Sequence, residues 1–352
     1  MPEQWDVLID LRDGGDWSLD LCFAGLNLNG VNVLDVPYRD KHREWWDVID
    51  RGRQSDWGLE RRTLGFVESV GDDRSSVVPN STELVTLEIL RKRGEIRRVW
   101  LDERMESFAK YRELGLDRTD ARVVVVAGHD RFWNHSPEFV ASLYGDRFEA
   151  MLLDNWYPRY ADLPFKARRI GWSCNFDHYW TRPTEPPVKD IDVSFIGYNS
   201  HPDRERYVEF IRRVFPGLRL HLVLETESDS FGKFVPKSAY FDLIQRSRIA
   251  LNLRGAADRG KTMRAYEIPY VGSFMLSQRV DDPGLAEDFV DLKHCVYFHS
   301  EQQLKRQVEW FLSPDGALHR EVIAGQGHWR TLDHLTTFSR WRDVIGWLDG
   351  KP

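Results

Sequence analysis

The run ARVVVVAG at residues 121–128 constrains the fold more than any other stretch of the chain. Four consecutive valines leave no polar face for solvent, so a strand there is covered on both sides, as in the centre of a parallel sheet. Parallel neighbours require crossover connections. The chain supplies them, because strand-like and helix-like segments alternate along its length. In the first half DVLIDL, VNVLDVP, FEAMLLDN and RRIGWS read as strands. A helix is expected near 17–27, and another in SPEFVASLYGD, where Ser caps and Pro takes the first helical position. A second series begins at DVSFIGY and continues through DRERYVEFIRRV (helix), LRLHLVL (strand), SAYFDLIQRS (helix), RIALNL (strand), CVYF (strand) and SEQQLKRQVEWFL (helix). Between the series lies TRPTEPPVKD (181–190), whose three prolines suit a stiff linker.

A length of 352 residues suits two domains of about 150 residues each. The pattern predicts an α/β chain with an N-terminal domain at 1–185, a second at 186–335 and a closing helix at 336–352. In that helix Phe338, Trp341, Ile345 and Leu348 recur at helical spacing and need an apolar partner, expected on the first domain. The cysteines, Cys22, Cys174 and Cys295, match no metal or redox spacing and fit a reducing compartment. The start MPEQWDVLIDLRDGG has no basic and apolar leader, and no uncharged run is long enough to span a bilayer, so a cytoplasmic location is expected. Net charge is −7, divided as −8 over 1–200 and +1 over 201–352, which favours a small anionic ligand of the second half over a long polyanion. The basic stretch RKRGEIRR (91–98) reads as a solvated helix end before the strand VWLD, with nucleic-acid contact the alternative.

The chemistry concentrates in RGKTMRAYEIPYVGSFML, residues 259–276, just after RIALNL. In parallel sheets ligands bind at the carboxyl ends of strands, where this stretch falls. Gly255 and Gly260 allow close backbone approach, and a helix expected to start near Lys261 offers free N–H groups. Arg254, Arg259, Lys261 and Arg264 add full charges suited to a diphosphate, whose oxygens match guanidinium forks. Glu267, three residues beyond Arg264 on the same face, suits the vicinal hydroxyls of a ribose. Spacing alone leaves a second reading open, in which Arg264 and Glu267 form an exposed i,i+3 pair.

The segments DVSFIGYNSHPDRERYVEFIRRV, YFDLIQRSRIALNLRG, TMRAYEIPYVGSFMLS and AGQGHWRTLDHLTTFSR, in this order over residues 190–342, resemble CgeB-type (spore-maturation) glycosyltransferases of the GT-B fold. The resemblance implies two Rossmann-like domains with mainly parallel sheets facing across a cleft, the second holding a nucleotide-sugar donor. Glu267, followed by Gly272, matches the donor-ribose position of that fold, and Arg264 matches the family's arginine. Many retaining members carry a glutamate eight residues before the ribose glutamate. Here that position is Arg259, which leans the stereochemistry towards inversion. The implied activity is sugar transfer from a nucleoside-diphosphate sugar, a UDP-sugar being favoured, to an acceptor hydroxyl, without metal or resident cofactor. A nucleotide-sugar epimerase and a non-catalytic nucleotide-sugar-binding module are the alternatives.

Other candidates flank strand ends. Gly128, His129 and Asp130 end the valine-rich strand, and either His129 or Asp130 suits the base that deprotonates an acceptor; Asp154 is second choice. Gly14 and Gly15 in RDGGDW suit close approach to the donor, as do Asn199 and Arg204 in GYNSHPDR by side-chain contact. Trp133, Trp156, Trp172 and Trp180 supply faces for stacking or core. Histidines lack ligand spacing and DID at 190–192 adjoins the linker, so no metal site is expected. The acceptor is left open among a glycan, a protein, a small molecule and a hydroxylated nucleobase.

Overall fold

The structure, a computed structural model, describes residues 4–9, 22, 25–26, 28–36, 93–127, 136–153, 158–171, 173, 183–185, 187–225, 237–255 and 262–351. The chain divides into two compact units, Met1–Gly171 with Thr337–Pro352, and Trp172–Thr336.

The first unit is built on six parallel strands: β1 (Trp5–Ile9), β2 (Asn32–Val36), β3 (Ile96–Leu101), β4 (Arg122–Ala127), β5 (Phe148–Leu153) and β6 (Ala167–Arg169). Their order is β2-β1-β3-β4-β5-β6. The valine-rich β4 is interior, as its composition requires. Successive side chains point to opposite faces, so Val123 and Val125 enter one core while Val124 and Val126 enter another. The first core also takes Tyr111 from α1 (Met105–Glu113) and Val140 from α2 (Pro137–Ser142). Ser136 caps α2 by accepting from Phe139 N at 3.2 Å. The RRIGWS segment contributes less strand than its pattern suggested, since β6 ends at Arg169.

The second core is closed by the final helix, Thr337–Leu348, through Trp341, Val344 and Leu348. Trp341 meets Trp100 edge-on, with centroids 5.8 Å apart. Gly25 makes this contact possible, because a Cβ there would fall 1.9 Å from the Trp341 ring. Of the expected stripe, Trp341 and Leu348 are fully buried, with Val344 between them, whereas Phe338 and Ile345 are half-buried. Lys166 Nζ donates to the Trp347 carbonyl at 2.8 Å and Arg168 Nη1 to that of Asp343 at 2.8 Å, placing cations against the helix C-terminal half.

RKRGEIRR is not a solvated helix end. A short 3-10 turn covers Arg93–Glu95, and the strand starts at Ile96, so Arg97 and Arg98 belong to β3. Arg98 is buried and donates to both oxygens of Glu149 (2.7 and 2.9 Å) and to Asp349 (2.8 Å). Arg97 pairs with the buried Asp6, whose other oxygen accepts from Trp100 Nε1 at 2.7 Å. Burial raises the Asp6 pKa against the lowering pull of Arg97.

The second unit carries five parallel strands: β7 (Ile191–Tyr198), β8 (Leu220–Glu225), β9 (Ser247–Asn252), β10 (Met275–Gln278) and β11 (Val296–Phe298). They run in the order β11-β10-β9-β7-β8. Following the chain, α3 (Pro202–Val214), α4 (Lys237–Gln245), α5 (Arg264–Tyr270), α6 (Pro283–Asp288), α7 (Glu301–Leu312) and α8 (Pro314–His334) cover its faces, and α9 is the Thr337–Leu348 helix of the first unit. One core joins the sheet to α4, α5 and α6 through Tyr240, Ile244, Tyr266, Ile268 and Leu285. The other joins it to α3 and α7 through Tyr207, Ile211, Leu304 and Val308. Strand order reverses direction between β7 and β9, which makes the carboxyl ends of these two strands the topological switch point.

Candidate functional site

The loops leaving β7, β9 and β10 are tied together at the switch point. His201 caps α3, its Nδ1 accepting from Asp203 N at 3.1 Å, and Pro202 takes the first helical position. Arg204, in the first turn of α3, donates Nε to the Arg254 carbonyl at 2.8 Å and Nη2 to that of Leu253 at 3.4 Å. Gln278 completes the brace, donating to Asp203 at 2.7 Å and accepting from Arg254 N at 3.1 Å. Arg204, a candidate donor contact, is 4% exposed and fixes the chain after β9. The Arg254 side chain is half-buried, and its Nε is shielded from water with no acceptor among the described residues. Burial, then the charge of Arg254, lower the His201 pKa, so this ring is neutral at pH 7.

The helix expected near Lys261 begins three residues later, at Arg264, and has seven residues. Its start is pinned by polar side chains: Thr262 Oγ1 donates to Asn252 Oδ1 at 2.7 Å, and Asn252 Nδ2 to Ser277 Oγ at 2.9 Å. These bonds tie α5 to the ends of β9 and β10. Arg264 is 7% exposed, which rules out the exposed-pair reading of this residue. Its Nη2 donates to the Ile196 carbonyl at 2.5 Å, and the guanidinium lies 4.7 Å from the centre of the Phe195 ring. Gly197 leaves the space for it, since a Cβ there would sit 2.5 Å from Nη2. Nε and Nη1 are shielded from water and meet no acceptor at hydrogen-bond geometry among the described residues, and the guanidinium charge also acts on the Tyr240 phenol. Leaving a buried donor unmet costs about 1–3 kcal/mol, and more on a charged group, so this guanidinium favours an incoming anionic oxygen.

One turn on, Glu267 is half-buried and accepts from Tyr240 Oη of α4 at 2.5 Å. Burial, then the adjacent carboxylate, push the Tyr240 pKa well above its ordinary value, so the phenol remains a donor. Arg264 and Glu267 are therefore side by side on α5, beside the strand ends that carry Arg254 and Asn199. Asn199 Nδ2 donates to Glu205 at 3.4 Å. Lys261, Arg259, Gly14, Gly15, His129, Asp130 and Asp154 lie outside the described residues, as do Trp133, Trp156, Trp172 and Trp180. Tyr240, His201 and Gln278 were not singled out from sequence. Only His201 had a local signal, its place before Pro202 at a helix start.

Among the described residues no group of three or more His, Cys, Asp or Glu side chains could hold a metal ion. The DID carboxylates are engaged by arginines: Asp190 pairs with Arg246, and Asp192 with Arg219 (2.9 Å) and Arg248 (3.3 Å). No helix among the described residues is long and apolar enough to cross a membrane.

Two parallel-sheet α/β units, with sheets of six and five strands, match the architecture of GT-B glycosyltransferase folds. Residues 204–346 match a family model described as glycosyl transferase-like. Solved structures with the same architecture include a glycosyltransferase from Rickettsia africae, at 11% identity and a TM-score of 0.59, covering 99% of this chain and 98% of that one. Anabaena HepE in complex with UDP and glucose is similar at 9% identity and a TM-score of 0.60, covering 98% and 99%. Sucrose-phosphate synthase from Thermosynechococcus elongatus is similar at 11% identity and a TM-score of 0.51, covering 99% and 98%. No curated protein sequence matches the chain significantly.

Proposed function

We propose that the protein is a CgeB-type glycosyltransferase that moves a sugar from a nucleoside-diphosphate sugar, a UDP-sugar by preference, to an acceptor hydroxyl. The observation that carries this reading is the arrangement on α5. A buried arginine with two unmet N–H groups stands one turn before a carboxylate held by a buried phenol, beside the switch point of a parallel sheet. Arg264, helped by Arg254 and by Lys261 and Arg259 of the preceding segment, addresses the diphosphate, and Asn199 contacts the donor nearby. Glu267 accepts from the ribose hydroxyls. Negative charge grows on the diphosphate as the bond to the sugar breaks. Fixed guanidinium charge in a dry setting therefore stabilises the transition state more than the bound donor. The same arginines take the place of a divalent cation, and no resident cofactor is required. Deprotonation of the acceptor is assigned to Asp130 or His129, with Asp154 next in line, and close donor approach to Gly14 and Gly15. The acceptor is a glycan, a protein, a small molecule or a hydroxylated nucleobase. The buried free thiol of Cys295 suits work in the cytoplasm.

Calorimetric titration of UDP into the protein and into Glu267→Ala tests the donor assignment. A hydrogen bond to a charged group contributes about 1.5–3 kcal/mol, so the variant should bind roughly 10- to 100-fold more weakly. Equal affinity would overturn it. Product analysis with a labelled UDP-sugar, in EDTA, then separates transfer from epimerisation, which needs no acceptor, and from binding without turnover.

A further inference from the structure

The Tyr240–Glu267 bond links two elements that the chain separates by 27 positions. Tyr240 is 6% exposed, in a core with Ile244, Ala265 and Tyr266, and its ring meets Phe241 edge-on at 5.2 Å. A phenylalanine would fill the same apolar space, so packing does not explain the hydroxyl. A carboxylate has about four acceptor positions on two oxygens. The phenol occupies one of them, on Oε2. It also restricts rotation about the terminal bond of Glu267, which is otherwise broad. A half-buried carboxylate held in this way loses less freedom when a ligand arrives.

We propose that Tyr240 is a positioning residue that presents the Glu267 carboxylate to the vicinal hydroxyls of the donor ribose, so that its hydroxyl sets the preference for ribonucleotides. The inference rests on the reading of Glu267 as the ribose acceptor. Tyr240 touches no reacting atom; it acts through Glu267, and its contact with the Arg264 charge bears on both nucleotides alike. Burial and the Glu267 charge raise its pKa against the lowering pull of Arg264, so the phenol keeps its proton.

The test is calorimetric titration of UDP and of 2′,3′-dideoxy-UDP into the wild type, Tyr240→Phe and Glu267→Ala. The wild type should prefer UDP by roughly tenfold or more, and Tyr240→Phe by roughly threefold or less, with its affinity for the dideoxy compound within about twofold of wild type. The preference is a ratio measured on one protein, so a loss of folded material cancels from it. If Glu267→Ala loses the preference while Tyr240→Phe keeps it in full, the positioning role is overturned and the ribose reading stands. If both variants keep it, the ribose reading itself is overturned.

Discussion

Gly197→Ala is the smallest change that tests what holds Arg264. The added methyl would sit 2.5 Å from Nη2 and 3.3 Å from both the Arg264 Cζ and the Phe195 ring. Comfortable contact is about 3.5–4 Å, so the guanidinium must retreat by about 1 Å. That movement stretches the bond from Nη2 to the Ile196 carbonyl, now 2.5 Å, to as much as about 3.5 Å, where it is weak. The obstructing atoms belong to the end of a flexible side chain, so the strand and the fold should survive. The weakened bond is charge-assisted, and the change should lower stability by about 1.5–3 kcal/mol at most. If Nε and Nη1 address the diphosphate, displacing them by the same distance should weaken UDP binding roughly tenfold or more. Differential scanning calorimetry and UDP titration measure the two effects separately. Gly217→Ala, with nothing within 4 Å of its added methyl, is the control that should change neither. A Gly197→Ala protein that melts slightly lower yet binds UDP like wild type would refute the claim that Arg264 placement governs phosphate binding.

Two further outcomes concern stability. Arg98→Met strips Glu149 and the partly exposed Asp349 of their shared partner, and should cost about 3 kcal/mol by urea unfolding, with the loss confined to the first unit. A cost below about 1 kcal/mol would show that β3 does not need the pair. Lys189 Nζ is enclosed between the Ser247 carbonyl (3.1 Å) and Ser273 Oγ (3.3 Å), and burial lowers its pKa to about 8. The unfolded chain binds this proton more tightly, with a pKa near 10.4, so stability should rise with pH between about 8 and 10.4. Lys189→Met should be the more stable protein at pH 7, with its advantage shrinking through that window. An advantage independent of pH would refute the assignment.

The fold was legible because hydrophobic pattern reports which residues are covered. The valines of 123–126 required cover on two faces, and the structure supplies two separate cores. The closing helix was equally clear through Trp341 and Leu348. The choice of Val344 over Phe338 depends on the angle at which the helix meets Trp100, which no local period encodes. Charged residues were read less well, and for one physical reason. Local sequence reports charge but not the partner that makes burial tolerable. Arg98 looked solvated in RKRGEIRR because its carboxylates lie 51 and 251 positions away.

Arg264 and Glu267 were legible as a pair because they interrupt an otherwise apolar helix, yet the burial of Arg264 was not. It depends on the space at Gly197 and on the Ile196 carbonyl, 68 positions earlier. Comparing the two buried arginines gives the burial a functional meaning. Arg98, though its Nη1 is also unmet, is neutralised by two carboxylates, and its placement is accounted for by the fold. Arg264 makes its hydrogen bond to a neutral carbonyl, and a guanidinium cannot shed its proton to ease the cost. A methionine of similar length would fill that site without desolvating a charge. A charge kept where the fold gains little from it, with donors unmet at a strand switch point, fits a residue whose partner arrives with the ligand. The neighbouring carboxylate, already oriented by Tyr240, fits a ligand that brings hydroxyl groups beside its anionic ones, and a nucleoside diphosphate carries both.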